Sequence, residues 1–120
     1  MMRDHRKLEV FDLAREAVLV TYKATTALPS EEKFGLQSQI RRAAVSVPTN
    51  IVEGCSYSSE KDFARFLRIA HGSASEARFL LELTIDLEFL NADVIAPIVA
   101  RYDKVVRALA NLLRAVEDRA

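Results

Sequence analysis

Gln39-Ile40-Arg41-Arg42-Ala43-Ala44-Val45-Ser46-Val47-Pro48-Thr49-Asn50-Ile51-Val52-Glu53-Gly54 is the stretch on which the fold of this chain turns. Leu36, Ile40, Ala43, Val47 and Ile51 recur at three- and four-residue spacings, which brings side chains onto one face of a helix. An interior proline lacks a backbone donor and clashes with the carbonyl four residues before it, so Pro48 should end or bend that helix. The apolar phase runs on through Ile51, and this predicts one helix kinked at Pro48. Along the edge of the apolar face lie Gln39, Arg42, Ser46, Asn50 and Glu53. A solvated face would carry more long Lys and Glu side chains. Ser and Asn among the charges point instead to hydrogen bonds with a neighbouring helix.

Upstream, Ser30 followed by Glu31 and Glu32 reads as an N-cap with acid in the first turn. The central helix is therefore expected from about Glu31 to Cys55. Before it, a first helix from about Val10 to Ala27 presents Phe11, Ala14, Val18, Tyr22 and Thr25, with Ala17 and Thr21 beside them, and Pro29 closes it. Downstream, Ser58 or Ser59 caps a long third helix from about Glu60 to Phe89. Its seam is Phe63, Phe66, Leu67, Ala70, Ala74, Ala77, Leu80, Leu81 and Thr84. Asn91 caps a fourth, tolerating Pro97 near its start and running to about Glu117 on Ile95, Ile98, Val99, Tyr102, Val105, Val106, Leu109, Leu112, Leu113 and Val116. Four amphipathic helices on short connections predict an all-α, antiparallel up-down-up-down bundle over residues 8–120, with residues 1–7 as a flexible N-terminus.

Composition sets the outer bounds. At 120 residues the chain is one domain, with 17 basic and 17 acidic side chains and a formal charge of zero. A nucleic-acid binder usually shows a basic excess, so such a role here would rest on a local patch. The single Cys55 excludes an internal disulfide and a multi-cysteine zinc site. No signal pattern and no run long enough to span a bilayer is visible, which predicts a cytoplasmic protein without membrane partners.

Candidate chemistry is sparse. A di-iron carboxylate bundle needs Glu-x-x-His pairs, and none occurs, so neither metal nor cofactor is expected. Cys55 has no histidine near it in sequence to act as a base. Arg65 and His71 have the kind of Arg–His spacing that some all-helical ribonucleases use, with Arg for the phosphate and His as acid or base. A six-residue step, however, turns the two side chains about 120° apart on an ideal helix. Glu53 and Glu76 sit among apolar neighbours. Arg42 and Glu53 lie about 16 Å apart along one helix, so Arg42 is expected to pair with Glu76 across helices. That pair reads as structural, not catalytic, and completes a polar network of Gln39, Arg42, Ser46, Asn50, Glu53 and Glu76.

The outward face of the third helix carries Ile69, Gly72, Phe79 and Leu83 between charges, a second partly apolar stripe that a lone bundle does not need. It is a candidate subunit interface. Gly72 costs about 1 kcal/mol against alanine inside a helix, and a close approach, such as one against the Pro48 bend, would compensate. Arg41 is expected to point toward solvent. With Arg65, Arg68 and the fourth-helix stripe of Arg101, Lys104, Arg107 and Arg114, it could touch phosphates of RNA or DNA.

These residues also carry a resemblance. Leu28-Pro29, Phe34-Gly35-Leu36, Gln39-Ile40-Arg41-Arg42-Ala43-Ala44, Ser46-Val47-Pro48, Asn50-Ile51-Val52-Glu53-Gly54, Phe63-Ala64-Arg65-Phe66-Leu67 and Gly72-Ser73-x-x-Glu76 resemble the four-helix bundle proteins encoded in intervening sequences of bacterial large-subunit ribosomal RNA genes. The likeness spans about residues 8–117. The accessory proteins of diversity-generating retroelements are similar. The resemblance implies a bundle assembled as a ring-like homopentamer, mostly without established activity; the retroelement relatives are basic and bind nucleic acid and a reverse transcriptase. Here Cys55-Ser56-Tyr57-Ser58-Ser59 is neutral where relatives are commonly basic, and Ala77-Arg78 stands where they often have a further acid. The resulting expectation is a non-enzymatic self-assembling bundle, with a nucleic-acid adaptor or an Arg65/His71 ribonuclease as alternatives.

Overall fold

The computed structural model describes residues 3–120, and Met1 and Met2 lie outside the described residues. Four helices carry the chain: α1 (Glu9–Thr25), α2 (Leu36–Cys55), α3 (Glu60–Asp86) and α4 (Ala92–Arg119). The described residues contain no strand. Each helix packs on its sequence neighbours and α1 closes against α4, which sets α1 diagonal to α3 and α2 diagonal to α4. Gly54 lies against Phe63 and Phe66, and Ser46 bonds to Ser73, so α2 runs down as α3 runs up. Arg68 meets Glu117 and Arg78 meets Asp103, which sets α3 and α4 in opposite senses as well. The 45 Å long axis matches the length of a 28-residue helix at about 1.5 Å per residue.

The core follows from the helical period. Phe63, Leu67, Ala70, Ala74, Ala77 and Leu81 of α3 are buried against Ile40, Val47 and Ile51 of α2 and against Ile95, Tyr102, Val105 and Leu109 of α4. The three alanines let α2 and α4 each pack close against α3. On α1 the buried stripe is Val10, Ala14, Ala17, Thr21 and Thr25, whereas Phe11 and Val18 are only half-buried and Tyr22 is exposed. This corrects the expected face by a fraction of a turn. The threonines can be interior because each hydroxyl donates to a carbonyl one turn back: Thr21 to Ala17 at 2.6 Å and Thr25 to Thr21 at 2.8 Å.

Helix ends show which local rules prevailed. Ser59 caps α3 by accepting from Asp62 N, and Asn91 caps α4 by accepting from Asp93 N at 2.7 Å. The expected start of the second helix at Glu31 is corrected. Ser30–Glu32 is a 3-10 turn, Gly35 leaves helical geometry, and α2 begins at Leu36, whose N–H donates to the Glu32 carboxylate at 3.0 Å. From there α2 continues past Pro48 to Cys55. The third helix stops at Asp86, short of Phe89. Phe89 N donates to Thr84 O and Glu88 N to Ile85 O, with Glu88 at a left-handed φ of 61°.

Residues 3–7, expected to fray, have a defined place. Asp4 caps a 3-10 turn over His5–Lys7. Arg3 N donates to Cys55 O at 2.9 Å, its guanidinium lies 4.0 Å over the Phe63 ring, and it pairs with Glu60. The segment thereby covers the α2–α3 turn and the buried Cys55.

Candidate interaction surfaces

The outer side of α2 and α3 gathers most of the residues expected to form a polar network. Gln39, Arg42, Ser46 and Glu76 line one shallow groove of about 280 Å³ together with Ser73. Ser46 and Ser73 share a hydrogen bond of 2.8 Å across the helices, and Asn50 Nδ2 donates to Ser46 O at 2.7 Å and to Ser46 Oγ at 2.9 Å. The rest of the expected network is looser. Arg42, Glu53 and Glu76 are exposed, and among the described residues Arg42 and Glu76 form no ion pair although they share the groove. Water holds two exposed charges about as well as they hold each other.

Next to this groove, α3 shows the apolar stripe to solvent. Ile69 is 44% and Phe79 60% exposed, and Leu83 is half-buried. Gly72 has no close neighbour: a Cβ there would meet nothing within 4 Å. The expected compensating approach against Pro48 is therefore absent inside the chain. Sequence reasoning missed a second apolar group. Phe34 is 90% exposed and, with Tyr22 and Val45, borders an open groove of about 660 Å³ on the α1–α2 side. The dipeptide Phe34-Gly35, an aromatic beside a helix breaker, was the available signal.

The arginines sort differently from expectation. Arg41, expected in solvent, is half-buried: Nε donates to Thr25 Oγ1 and Nη2 to Tyr22 O, each at 3.0 Å, and the guanidinium stacks 4.5 Å over the Tyr22 ring. Gln37 donates to Thr25 O at 3.1 Å. The last carbonyls of a helix lack intrahelical donors, so two side chains of α2 serve as the C-terminal cap of α1. Arg42 is left as the outward residue.

Of the other cations proposed for phosphates, Arg65 lies 3.7 Å from Asp62 and over Phe66, Arg68 pairs with Glu117 at 2.9 Å, and Arg101 lies 3.6 Å from Glu16. Lys104, Arg107 and Arg114 are exposed on α4 and form no ion pair among the described residues. Lys104 and Arg107 border a groove of about 540 Å³ between α1 and α4, with Leu13, Pro97 and Ala100 in its lining.

His71 is half-buried, and no hydrogen bond links it to Arg65 among the described residues. Cys55 is buried, and burial pushes its thiol up from its ordinary range, away from the reactive thiolate. Among the described residues no three His, Cys, Asp or Glu side chains converge on a metal position. No helix of the described residues is long and apolar enough to cross a membrane.

Comparison with known proteins places these surfaces in context. The sequence model of the 23S rRNA-intervening sequence protein family matches residues 6–111. A crystallised protein of unknown function from the S23 ribosomal protein family of Bacteroides thetaiotaomicron VPI-5482 superposes with a TM-score of 0.78. It shares 26% sequence identity, and the match covers 87% of this chain and 97% of that one. No curated protein matches the chain.

Proposed function

The chain belongs to the 23S rRNA-intervening sequence protein family, and on that basis we propose that it is a non-enzymatic, self-assembling helical module. It acts in the cytoplasm as a homopentameric scaffold or interaction hub, built through the outer face of α3 and the adjoining part of α2. The exposed row of Ile69, Gly72 and Phe79, with Leu83 at its edge, carries this reading. The opposite stripe of α3 already fills the core, so Ile69 and Phe79 stay largely uncovered, while Leu83 is partly packed against the bundle. Covering apolar surface is worth about 25 cal/mol per Å², and a second copy offers that cover. Gly72, with open space above it, permits close backbone approach. The pentameric count rests on resemblance to the family alone, and a ribosomal role forms no part of the proposal.

Sedimentation analysis at tens of micromolar tests it. The wild type should sediment as a multiple of 13.5 kDa, and Phe79→Glu should reduce that mass while leaving helical circular dichroism intact. A strictly monomeric wild type would sink the proposal. A second reading, a nucleic-acid adaptor, draws on the uncommitted Lys104, Arg107 and Arg114. It requires RNA or DNA binding that weakens steeply with salt.

A further inference from the structure

Two surfaces on opposite sides of the bundle are complementary in charge. On α3, Glu76, Glu82 and Asp86 are exposed, and none has an ion-pair partner among the described residues. At about 100° per residue, all three fall within about 60° of Phe79 around the helix. The C-terminal half of α3 is thus an apolar ridge of Phe79 and Leu83 edged with uncommitted carboxylates. On the far side, the α1–α4 groove has the reverse character. Val20, Ala24, Val94 and Pro97 line one stretch of about 470 Å³, which continues through Pro97 and Arg101 into the stretch bordered by Lys104 and Arg107. Lys23, Lys104 and Arg107 stand along it as cations without ion-pair partners among the described residues.

We infer that the α1–α4 groove receives the acidic outer face of α3 from a second copy of the chain, so that copies join head to tail. The inference rests on the self-assembly reading above and supplies the other half of its interface. Pairing α3 with α3 would oppose like carboxylates around Phe79, whereas the groove meets them with cations. With α1 diagonal to α3 in the bundle, the two faces point to different sides of one copy, which can meet two neighbours. Such a heterologous contact closes into a ring or continues as a filament, according to the rotation between copies. The apolar floor of the groove suits a helix face with its own apolar ridge, and Glu16, the carboxylate in its lining, is offset by Arg101 at 3.6 Å.

The test is a charge exchange read by sedimentation at tens of micromolar, with circular dichroism as the folding control. Lys104→Glu/Arg107→Glu alone and Glu82→Lys/Asp86→Lys alone should each weaken association by about tenfold or more. Mixing the two variants should raise the mass above that of either alone, because the acidic groove of one then meets the basic ridge of the other, although strict alternation cannot close a five-membered ring. Full wild-type mass in Lys104→Glu/Arg107→Glu would overturn the inference; if Phe79→Glu still dissociates, self-assembly through α3 stands and only its seat is wrong. A monomeric wild type removes both. Unchanged mass together with loss of wild-type binding to a structured RNA in Lys104→Glu/Arg107→Glu would assign the groove to nucleic acid and equally overturn the inference.

Discussion

Replacing Tyr102 by phenylalanine should make the bundle less stable at neutral pH and more stable at high pH, with the two curves crossing. Tyr102 is 1% exposed, and its hydroxyl lies 2.7 Å from Thr21 Oγ1 and 3.4 Å from Ala17 O. Thr21 uses its own proton on Ala17 O at 2.6 Å, so the phenol donates to Thr21. Removing that donor loses one neutral hydrogen bond, worth about 1 kcal/mol net. Burial, opposed in part by the Thr21 hydroxyl, pushes the phenol up to about 12 from its ordinary value of 10.0. The folded state therefore holds this proton more tightly than the unfolded chain. The stability it contributes is complete below the unfolded value and is lost as pH rises through the folded one. Two units correspond to roughly 2.7 kcal/mol in full, of which about 1.4 kcal/mol is gone by pH 11. The loss cancels the hydrogen-bond term near pH 11, beyond which Tyr102→Phe should be the more stable protein. Urea unfolding of both proteins from neutral to strongly alkaline pH checks this, since everything but the Tyr102 phenol is common to both and drops out of the difference. Parallel curves across that range would refute the reasoning.

Two further substitutions separate close packing from open surface. Gly54→Ala places a Cβ 2.9 Å from Phe66 Cβ and 3.1 Å from Phe63 Cδ1, and should cost about 1–3 kcal/mol in thermal or urea unfolding. Gly72→Ala meets nothing within 4 Å and should gain about 1 kcal/mol for the isolated bundle while weakening association wherever a second copy approaches there. Arg41→Ala should cost about 1–2 kcal/mol by removing the cap on α1, whereas Arg42→Ala should fall within about 0.5 kcal/mol of wild type; equal effects would contradict the geometry around Thr25.

How much was legible in the sequence depended on what each residue had to satisfy. The seam of α4 was readable because large apolar side chains at helical spacing have one low-energy destination, and that of α3 because Phe63, Phe66, Leu67, Leu80 and Leu81 frame its alanines. Asn91 was readable as a cap, and Ser58 or Ser59 as another, because such side chains meet orphan N–H groups in the first turn; the fold picks Ser59. The seam of α1 was misplaced because its buried stripe is made of alanine and threonine, which carry little hydropathy, while the bulkier Phe11, Val18 and Tyr22 lie at its margin. The end of α3 was overrun because its left-handed stop is occupied by Glu88, not by glycine. Arg41 and Arg42 were exchanged because only the position of α1 reveals that unfilled carbonyls lie on one side of α2. Arg3 looked like part of a loose terminus, and its partners Cys55, Tyr57, Glu60 and Phe63 are remote in sequence.

The buried thiol of Cys55 has a use that needs no engineering. It lies beneath the Arg3 segment, beside the tight Gly54 contact, and burial pushes its thiol up from the ordinary range. A thiol reagent can reach it only while that end of the bundle is open, so the labelling rate at saturating reagent counts opening events there. As the chain has one cysteine, every adduct reports the same place. The molecule thus carries its own clock for the transient separation of the α2–α3 turn from the segment that covers it.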